Sequence, residues 1–409
     1  MNQMYLYTSF GILTVILVSL VAWFLFLRPP TTQTPLDSGF GVGDNRSVVV
    51  TPGSGGSDGS DGFAEPAVVT EQMIFKIADG PIAGATLIET TRPTTTVARY
   101  IKQDNGHVFD LVLDSPGAIP RALSNTTIPG VFRVVWAERG NSTLLQYLSD
   151  SITKTVYLGF PVGTTTATTT RPIKIQFLPD NILDIATSPD GKSVSYLLRS
   201  TGGVNGFTAK SDGSGSKQLF SLPLSQVRLS WPAQGALLIT TKSASGVPGI
   251  AFSVNSTSGL VTPLMYAEGL TATADRSFSR IVYQINSAGG VPSTYSRSTQ
   301  NGTDTALSFD PYPEKCIWSV VSTTVMYCSA PIEYVPPNFL DLWHLGVASV
   351  PDSIFSFDVA AGRSSVVAIP GSRDGGVQSD IIEMALSPNE NYLLFIAKGD
   401  RTLWGVRAK

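Results

Sequence analysis

The sequence contains few charged residues and few of the side chains that usually bind metals. Of its 409 residues only 14% are Asp, Glu, Lys or Arg, and it has two cysteines and two histidines. So few soft ligands argue against a Cys/His zinc site, and we predict neither a metal nor a cofactor. The net charge is -3 and no run of lysines or arginines is present, which argues against nucleic acid as a partner.

Sustained helical periodicity is also missing from most of the chain, whereas turn-forming residues are abundant. The 38 glycines and 27 prolines suit short strands joined by many turns. Past Glu65, β-rich runs alternate with turn signals, and no segment keeps a period of 3.6 residues. Examples of these runs are VFDLVL, FRVVW, SVSYLL, ALLITT, RIVYQI and YLLFIA. We therefore predict an all-β body.

One segment has no charged side chain at all. It runs from Tyr5 to Leu27, and about 23 residues rising roughly 1.5 Å each span about 35 Å, enough to cross a bilayer. We predict that residues 1–28 form a transmembrane anchor whose partner is the lipid bilayer. A cleaved signal peptide is the alternative, although it would need a basic residue before the apolar run and a small-residue cleavage site after it. A buried core helix is the third interpretation.

Residues 29–65 are rich in Pro, Thr, Gly and Ser and include the run TPGSGGSDGSDG. Such a segment buries too little apolar surface to offset the entropy of ordering it, so we predict a flexible linker. Arg28 alone would place the body in the cytoplasm, but a long domain is translocated largely regardless of one charge. Together with the cysteine pair described below, this predicts a single-pass protein of the cell membrane with an extracytoplasmic body.

The body, residues 66–409, contains a repeated unit of roughly 42 residues. Pro189, Pro232 and Ala274 hold equivalent places in SPDGKSVSYLL, LSWPAQGALLITT and ATADRSFSRIVYQI, and they are 43 and 42 positions apart. That period matches one four-stranded blade of a β-propeller. Counting the hairpins gives a single propeller of about seven blades, with an insertion near 331–353. We expect the early run EQMIFKI to pair with RTLWGV in the last blade, so that no long sheet edge stays exposed.

Two sets of motifs resemble known propeller proteins. SPDGKSVSYLL and SPNENYLLFIA, with SDGSGSKQLF between strands, resemble the WD40-like repeats of the TolB family. Further segments resemble membrane-anchored propeller proteins of small-genome candidate-phylum bacteria; these segments are DGPIAGAT, ARYIKQDNGHVFDL, YPEKCIWS, MYCSAP and LDLWHLGVASVPDSIFSFD. The resemblance covers the chain from roughly Glu71 to the C terminus. It implies a propeller fold, and the wider family implies no known activity.

Cys316 and Cys328 are equidistant from Ser322 in the predicted hairpin KCIWSVVSTTVMYCS. They would face each other across an antiparallel pair, and facing residues at a non-hydrogen-bonded position come close enough for a disulfide. We predict that they form one. Two reduced cysteines acting as small core residues are the alternative.

The insertion contains FLDLWHLG, which offers a candidate partner-binding loop made of Phe339, Asp341, Trp343 and His344. An aromatic-lined loop with one carboxylate and one histidine suits ligand binding. Packing of the same loop onto the propeller is the commoner role for such a segment.

No GxSxG, HExxH, Walker A or strand-associated GxGxxG motif occurs in the sequence. We therefore predict a non-enzymatic scaffold that binds a protein or an envelope polymer through one propeller face. The alternative is an enzyme that processes cell-envelope glycan or peptide in the propeller funnel, which needs carboxylates brought together in space. A channel lined by several Asp, Glu or His would favour catalysis, and a wide apolar patch on one face would favour partner binding.

Overall fold

Seven four-stranded antiparallel sheets make up the part of the chain that the computed structural model describes. All of this part belongs to the unit Val69–Lys409. The described residues are 73–91, 94–161, 173–336, 338–371 and 378–408. The predicted anchor and linker lie outside them, and within them no helix is long and apolar enough to span a bilayer.

Each sheet is one blade of a β-propeller, and six blades are built from four consecutive strands. The described chain begins with β1 (Ile74–Ala78), which belongs to blade 7. Blade 1 contains β2 (Ile82–Thr91), β3 (Thr94–Lys102), β4 (Val108–Val112) and β5 (Arg121–Ser124). Blade 2 contains β6 (Val131–Ala137), β7 (Ser142–Ser149), β8 (Ile152–Gly159) and β9 (Lys174–Phe177). Blade 3 contains β10 (Asp184–Thr187), β11 (Ser193–Ser200), β12 (Gly203–Lys210) and β13 (Lys217–Leu222).

The remaining blades follow the same plan. Blade 4 contains β14 (Val227–Ala233), β15 (Ala236–Thr241), β16 (Pro248–Asn255) and β17 (Val261–Glu268). Blade 5 contains β18 (Thr271–Ala274), β19 (Arg280–Ile285), β20 (Ser293–Ser298) and β21 (Asp304–Ala306). Blade 6 contains β22 (Cys316–Trp318), β23 (Val325–Pro331), β24 (Asp352–Asp358) and β25 (Arg363–Ala368). Blade 7 contains β26 (Ile381–Leu386), β27 (Tyr392–Ala397), β28 (Leu403–Arg407) and β1. The seven-bladed, all-β fold predicted from the repeat is confirmed.

The first strands of the blades surround the central channel, because they contact one another around the ring, as β2 does with β6 and β26. We call the face at which these strands begin the front face and the opposite one the rear face. Since the strands of a blade alternate in direction, the loops between second and third strands lie at the front. The loops between first and second strands, and between third and fourth strands, lie at the rear.

The ring closes through β1, which pairs antiparallel with β28 and places Ile74 opposite Val406. This confirms the predicted closure by the early run that contains Met73. β28 runs from front to rear, so the antiparallel β1 begins at the rear face.

The core is divided into one apolar cluster per interface between neighbouring blades. Between blades 3 and 4, for example, Leu197 and Val204 pack with Leu237 and Ile239, and none of the four is exposed. A further small cluster around Phe339 lies outside the seven interfaces. The closing interface, between blades 7 and 1, includes Ile77 of β1.

The repeated motif forms the rear turn that joins the first two strands of a blade. In blade 3 the Ser188 hydroxyl donates to the Asp190 carboxylate at 2.6 Å and accepts from the backbone N–H of Ser193. In blade 7 Ser387 makes the equivalent bonds with Asn389 and Tyr392. Short polar side chains that bond to a nearby backbone are what such tight turns require.

Cys316 and Cys328 are register partners in the β22–β23 pair. They form a disulfide with an S–S distance of 2.06 Å. The predicted pairing of the two cysteines is therefore present in the fold, at the start of the first strand of blade 6.

The β23–β24 connection, 332–351, is the part of the predicted insertion that lies between strands, and we call it the cap. It contains one helix, α1 (Phe339–His344). As a loop between a second and a third strand, the cap lies at the front face.

Candidate functional site

A cavity of about 360 Å³ opens at the front face, beside the cap. Its walls come from the starts of three first strands, β14, β22 and β26, and from the cap. Its lining includes Arg228, Glu314, Lys315, Ile381, Glu383 and Trp343. The cavity therefore lies at the mouth of the central channel, and we call it the mouth cavity.

A buried ion network fixes the floor of the cap. The Lys315 ammonium lies 2.5 Å from Asp352 and 2.8 Å from Asp380, and all three side chains are at most 1% exposed. One lysine thus pairs with two carboxylates. Asp352 is the first residue of β24, and Asp380 is the residue before β26. A second lysine, Lys398, approaches Asp380 at 3.2 Å and is 21% exposed.

The cap is attached to this network through Trp343. Its indole N–H donates to Asp380 at 2.7 Å, and Lys398 donates to the carbonyl oxygens of Trp343 and Ala348. Lys315 and Lys398 also lie 5.1 and 4.5 Å from the ring centre, within the range of cation–π attraction. Blades 6 and 7 and the cap are therefore held together by one set of charges.

The two carboxylates of the network titrate differently because of their surroundings. Burial raises the pKa of Asp352 to about 6, since its attraction to Lys315 only partly offsets the loss of water. Burial also opposes ionisation of Asp380, but Lys315, Trp343 and Lys398 together lower its pKa below the usual value. Asp380 is thus the permanent anion that orients the cap.

The four residues of the predicted partner-binding loop lie together on α1 and contact the propeller. Phe339 is fully buried, with its ring 5.4 Å from that of Tyr312. Asp341 accepts the backbone N–H of Ser245, in the β15–β16 loop, at 3.0 Å. Whether Phe339, Asp341, Trp343 and His344 also contact a partner stays a prediction.

His344 takes part in a chain of charges along the cavity wall. Its Nε2 lies 2.9 Å from Glu314, and the Arg228 guanidinium lies 2.8 Å from the same carboxylate. Burial opposes the charge of Glu314, yet His344 and Arg228 together lower its pKa. The Glu314 carboxylate therefore joins the cap to blade 4 across the mouth cavity.

Two more carboxylates lie at the channel mouth. Asp184 pairs with Arg133 at 2.5 Å and accepts the backbone N–H of Leu229 at 2.8 Å. The side chain of Glu383 lines the mouth cavity and is 46% exposed, with Arg401 at 3.3 Å. The surrounding channel walls still remove part of its hydration, and this desolvation raises the pKa of Glu383. Within the described residues no group of three or more His, Cys, Asp or Glu is placed to hold a metal ion.

Large apolar side chains are exposed on the same face, and the sequence motifs did not single them out. We define the cap patch as five such residues that are 52% to 89% exposed: Val247, Val291, Tyr334, Leu345 and Val347. Three belong to the cap, and the others lie in front loops of blades 4 and 5. These loops contact each other through a hydrogen bond from Asn286 to Ser245, the residue whose N–H binds Asp341. Apolar residues grouped on neighbouring loops of one face are typical of a binding surface.

No protein-family model matches the sequence, and no curated protein matches it. Similar solved structures do exist. The Cps50 (Swd1) β-propeller domain of Myceliophteria thermophila has a TM-score of 0.50 at 10% identity, over 82% of this chain and 100% of that one. An oligogalacturonate lyase in complex with manganese has a TM-score of 0.49 at 10% identity, over 81% and 99%. TolB from Acinetobacter baumannii has a TM-score of 0.42 at 10% identity, over 68% and 62%.

At such low identity these structures show the fold alone, which is the β-propeller that the sequence repeat predicted. This chain spans 62% of the length of the TolB chain. A fold does not decide a function, so the function must be argued from the site.

Proposed function

We propose that this chain is a non-enzymatic binding module whose front face, at the cap patch and the mouth cavity, binds a protein partner. The observation that supports it most is the cap patch itself. Five large apolar side chains, each more than half exposed, are held on loops that the buried network and the Asp341 contact fix in place. A preformed apolar surface loses little conformational entropy when it binds, so more of the burial energy is left for affinity.

The mouth cavity complements the cap patch. It is about 360 Å³ in volume and is walled by Ile317, Ile381, Ile382 and Met384 as well as by charged groups. That volume lies in the range of small-ligand pockets and can take one large apolar side chain of the partner. Anchor residues that fill a central pocket carry most of the energy of many interfaces. We infer that the partner places one such anchor in the cavity while its flanking surface covers the patch.

An enzyme that processes envelope glycan or peptide is the second candidate, because Asp184, Glu314 and Glu383 lie around the channel mouth. All three pair with an arginine, and Asp184 and Glu314 bind a backbone N–H or His344 as well, which suits a structural role for these two. Only Glu383 combines exposure with a raised pKa. If the unchanged protein hydrolyses envelope glycan or peptide and the Glu383→Gln variant does not, the enzyme is supported. Our proposal predicts that neither the unchanged protein nor the variant hydrolyses these substrates.

A matched pair of double variants tests the binding proposal. Tyr334→Ser with Leu345→Ser removes two cap-patch side chains that are 89% and 75% exposed. Tyr266→Ser with Leu260→Ser removes the same residue types, 69% and 67% exposed, from the outer side of blade 4. We expect the first variant to lose the partner that the unchanged protein captures from membrane extracts, and the second to keep it. Equal capture by both variants would contradict the role of the patch.

We also propose that the body lies outside the cytoplasm and is held at the membrane by the predicted anchor. The Cys316–Cys328 disulfide supports this location, because disulfides persist in oxidising compartments and are rare in the cytoplasm. Alkylation of the protein in its native membrane, followed by denaturation, should label neither cysteine until a reductant is added. Replacing both by Ser should lower the free energy of unfolding by about 2–4 kcal/mol. Two thiols that react without reductant would favour the cytoplasmic location.

A further inference from the structure

A second cavity opens at the rear face, between blades 3 and 4, about 460 Å³ in volume. Its walls include Lys210 and Lys217 of blade 3, and Trp231, Gln234, Ser256 and Thr257 of blade 4. We call it the rear groove. It is separate from the mouth cavity in position, since its blade-4 wall comes from the β14–β15 turn and the β16–β17 loop.

The pairing of blade 3 directs both lysines into the groove. Lys210 lies opposite Ser193, and Lys217 lies opposite Thr208. Residues that face each other across an antiparallel pair have their side chains on the same face of the sheet, and so do residues two apart in one strand. Lys210 and Lys217 are therefore diagonal neighbours on one face, where like charges repel.

Neither lysine has a counter-charge within the described residues. Five other lysines there bind an acidic side chain, among them Lys154 with Asp180 and Lys174 with Asp212. Lys192, in the adjacent rear turn, also lacks an ion pair among the described residues and is exposed. The carboxylates nearby are bound elsewhere: Asp190 accepts from Ser188 in its turn, Asp212 pairs with Lys174 at 2.6 Å, and Glu138 accepts from the Ser211 hydroxyl at 2.6 Å. A local excess of positive charge thus remains in a protein whose net charge is -3.

The other groups of the rear groove are suited to hydrogen bonding with an anion. The side chains of Ser193, Thr208, Thr257 and Gln234 line it together with the two lysines, and the Ser256 hydroxyl donates to the backbone carbonyl of Gln234. Ammonium groups combined with neutral donors are the usual means of binding a phosphate, which accepts several hydrogen bonds at once. A lone carboxylate or an apolar group would leave most of these donors unused.

We propose that the rear groove binds the phosphate group of a membrane lipid or of a soluble phosphorylated molecule. Lysines near an anionic membrane surface gain electrostatic binding energy within about a Debye length. This site does not depend on the cap patch, and either proposal can fail without the other.

Lysine acetylation of the full chain, read by mass spectrometry, tests the proposal with an internal control. Lys242 is exposed and likewise has no ion pair within the described residues, but it follows β15 at the front face. In one arm the probe is inorganic polyphosphate added to the detergent-solubilised protein. In the other arm the protein is reconstituted with nanodiscs of phosphatidylglycerol or of phosphatidylcholine.

We expect acetylation of Lys192, Lys210 and Lys217 to slow severalfold in at least one arm, while Lys242 reacts at its original rate. Protection by phosphatidylglycerol but not phosphatidylcholine identifies the lipid headgroup, and protection by polyphosphate alone identifies a soluble phosphate. The effect should weaken as salt is raised. Lys210→Gln with Lys217→Gln should remove the protection of Lys192, whereas Lys242→Gln should leave it unchanged. Unchanged rates in both arms, or equal slowing at Lys242, would overturn the proposal.

Discussion

Removing β1 should cause the largest loss of stability of any change considered for this protein. A chain that starts near Pro81 lacks Ile74 and Ile77, which are 1% and 7% exposed in the closed ring. Full burial of two such side chains contributes about 3–6 kcal/mol, and loss of the strand also leaves the edge of β28 unpaired. Urea unfolding of this chain, compared with one that starts near Glu65, measures the difference.

Two point variants measure the contribution of apolar burial by β1 without removing the strand itself. Ile74→Ala should cost about 2–5 kcal/mol, as is usual for a buried isoleucine. Met73→Ala, at a neighbouring residue that is 38% exposed, should cost much less. If the chains starting near Glu65 and Pro81 unfold at the same urea concentration, β1 does not close the ring.

Lys315→Met should produce the second large effect. It leaves Asp352 and Asp380 buried without the cation that lies 2.5 and 2.8 Å from them. Removing one partner of a buried ion pair costs about 3–5 kcal/mol. Asp352 would lose its cation, whereas Asp380 would keep the more distant Lys398 at 3.2 Å. The free energy of unfolding at neutral pH is the quantity to measure.

The matched control for this variant is Lys154→Met. Lys154 pairs with Asp180 at 2.7 Å, but the two side chains are 30% and 46% exposed. Exposed pairs contribute about 0–1 kcal/mol, so the two methionine variants should differ by several kcal/mol. Similar losses in both would show that the Lys315 network does not hold the cap.

The sequence predicted the fold because the fold depends on local and periodic signals. The rear turns of blades 3 and 7 need a short polar side chain at Ser188 and Ser387, so their motifs repeat and set the period. The pairing of Cys316 with Cys328 was predictable because it is also local: both lie in one hairpin, at equal distances from its turn. Closure by β1 followed from the need to pair the last edge strand.

The buried network could not be predicted in the same way. Lys315 is 37 residues from Asp352 and 65 from Asp380, so no short motif contains the set. Long-range contacts of this kind depend on how blades 6 and 7 pack against each other. The cap patch was missed for a related reason, since an apolar residue in a loop is exposed or buried according to what packs on it.

Glu390 shows how a repeat position can change its role. In the rear turn of blade 7 it holds the position that Gly191 holds in the rear turn of blade 3. Both residues have a positive φ, 59° for Glu390 and 71° for Gly191. A side chain at Gly191 would meet the backbone of Glu138 at 2.3 Å. In blade 7 the Glu390 side chain is instead buried and accepts from Ser319 and Tyr327 of blade 6. The motif alone gave no sign of this link between blades.

Site-specific photo-crosslinking tests the central claim, that the front face binds a protein partner. A photoreactive residue replaces either Leu345, in the cap patch, or Leu260, in the β16–β17 loop at the rear face. Leu345 is 75% exposed and Leu260 is 67% exposed. Each full-length protein is irradiated in its native membrane. We predict one discrete product with a second protein from position 345 and none from position 260. No product from 345, or the same products from both positions, would contradict the account.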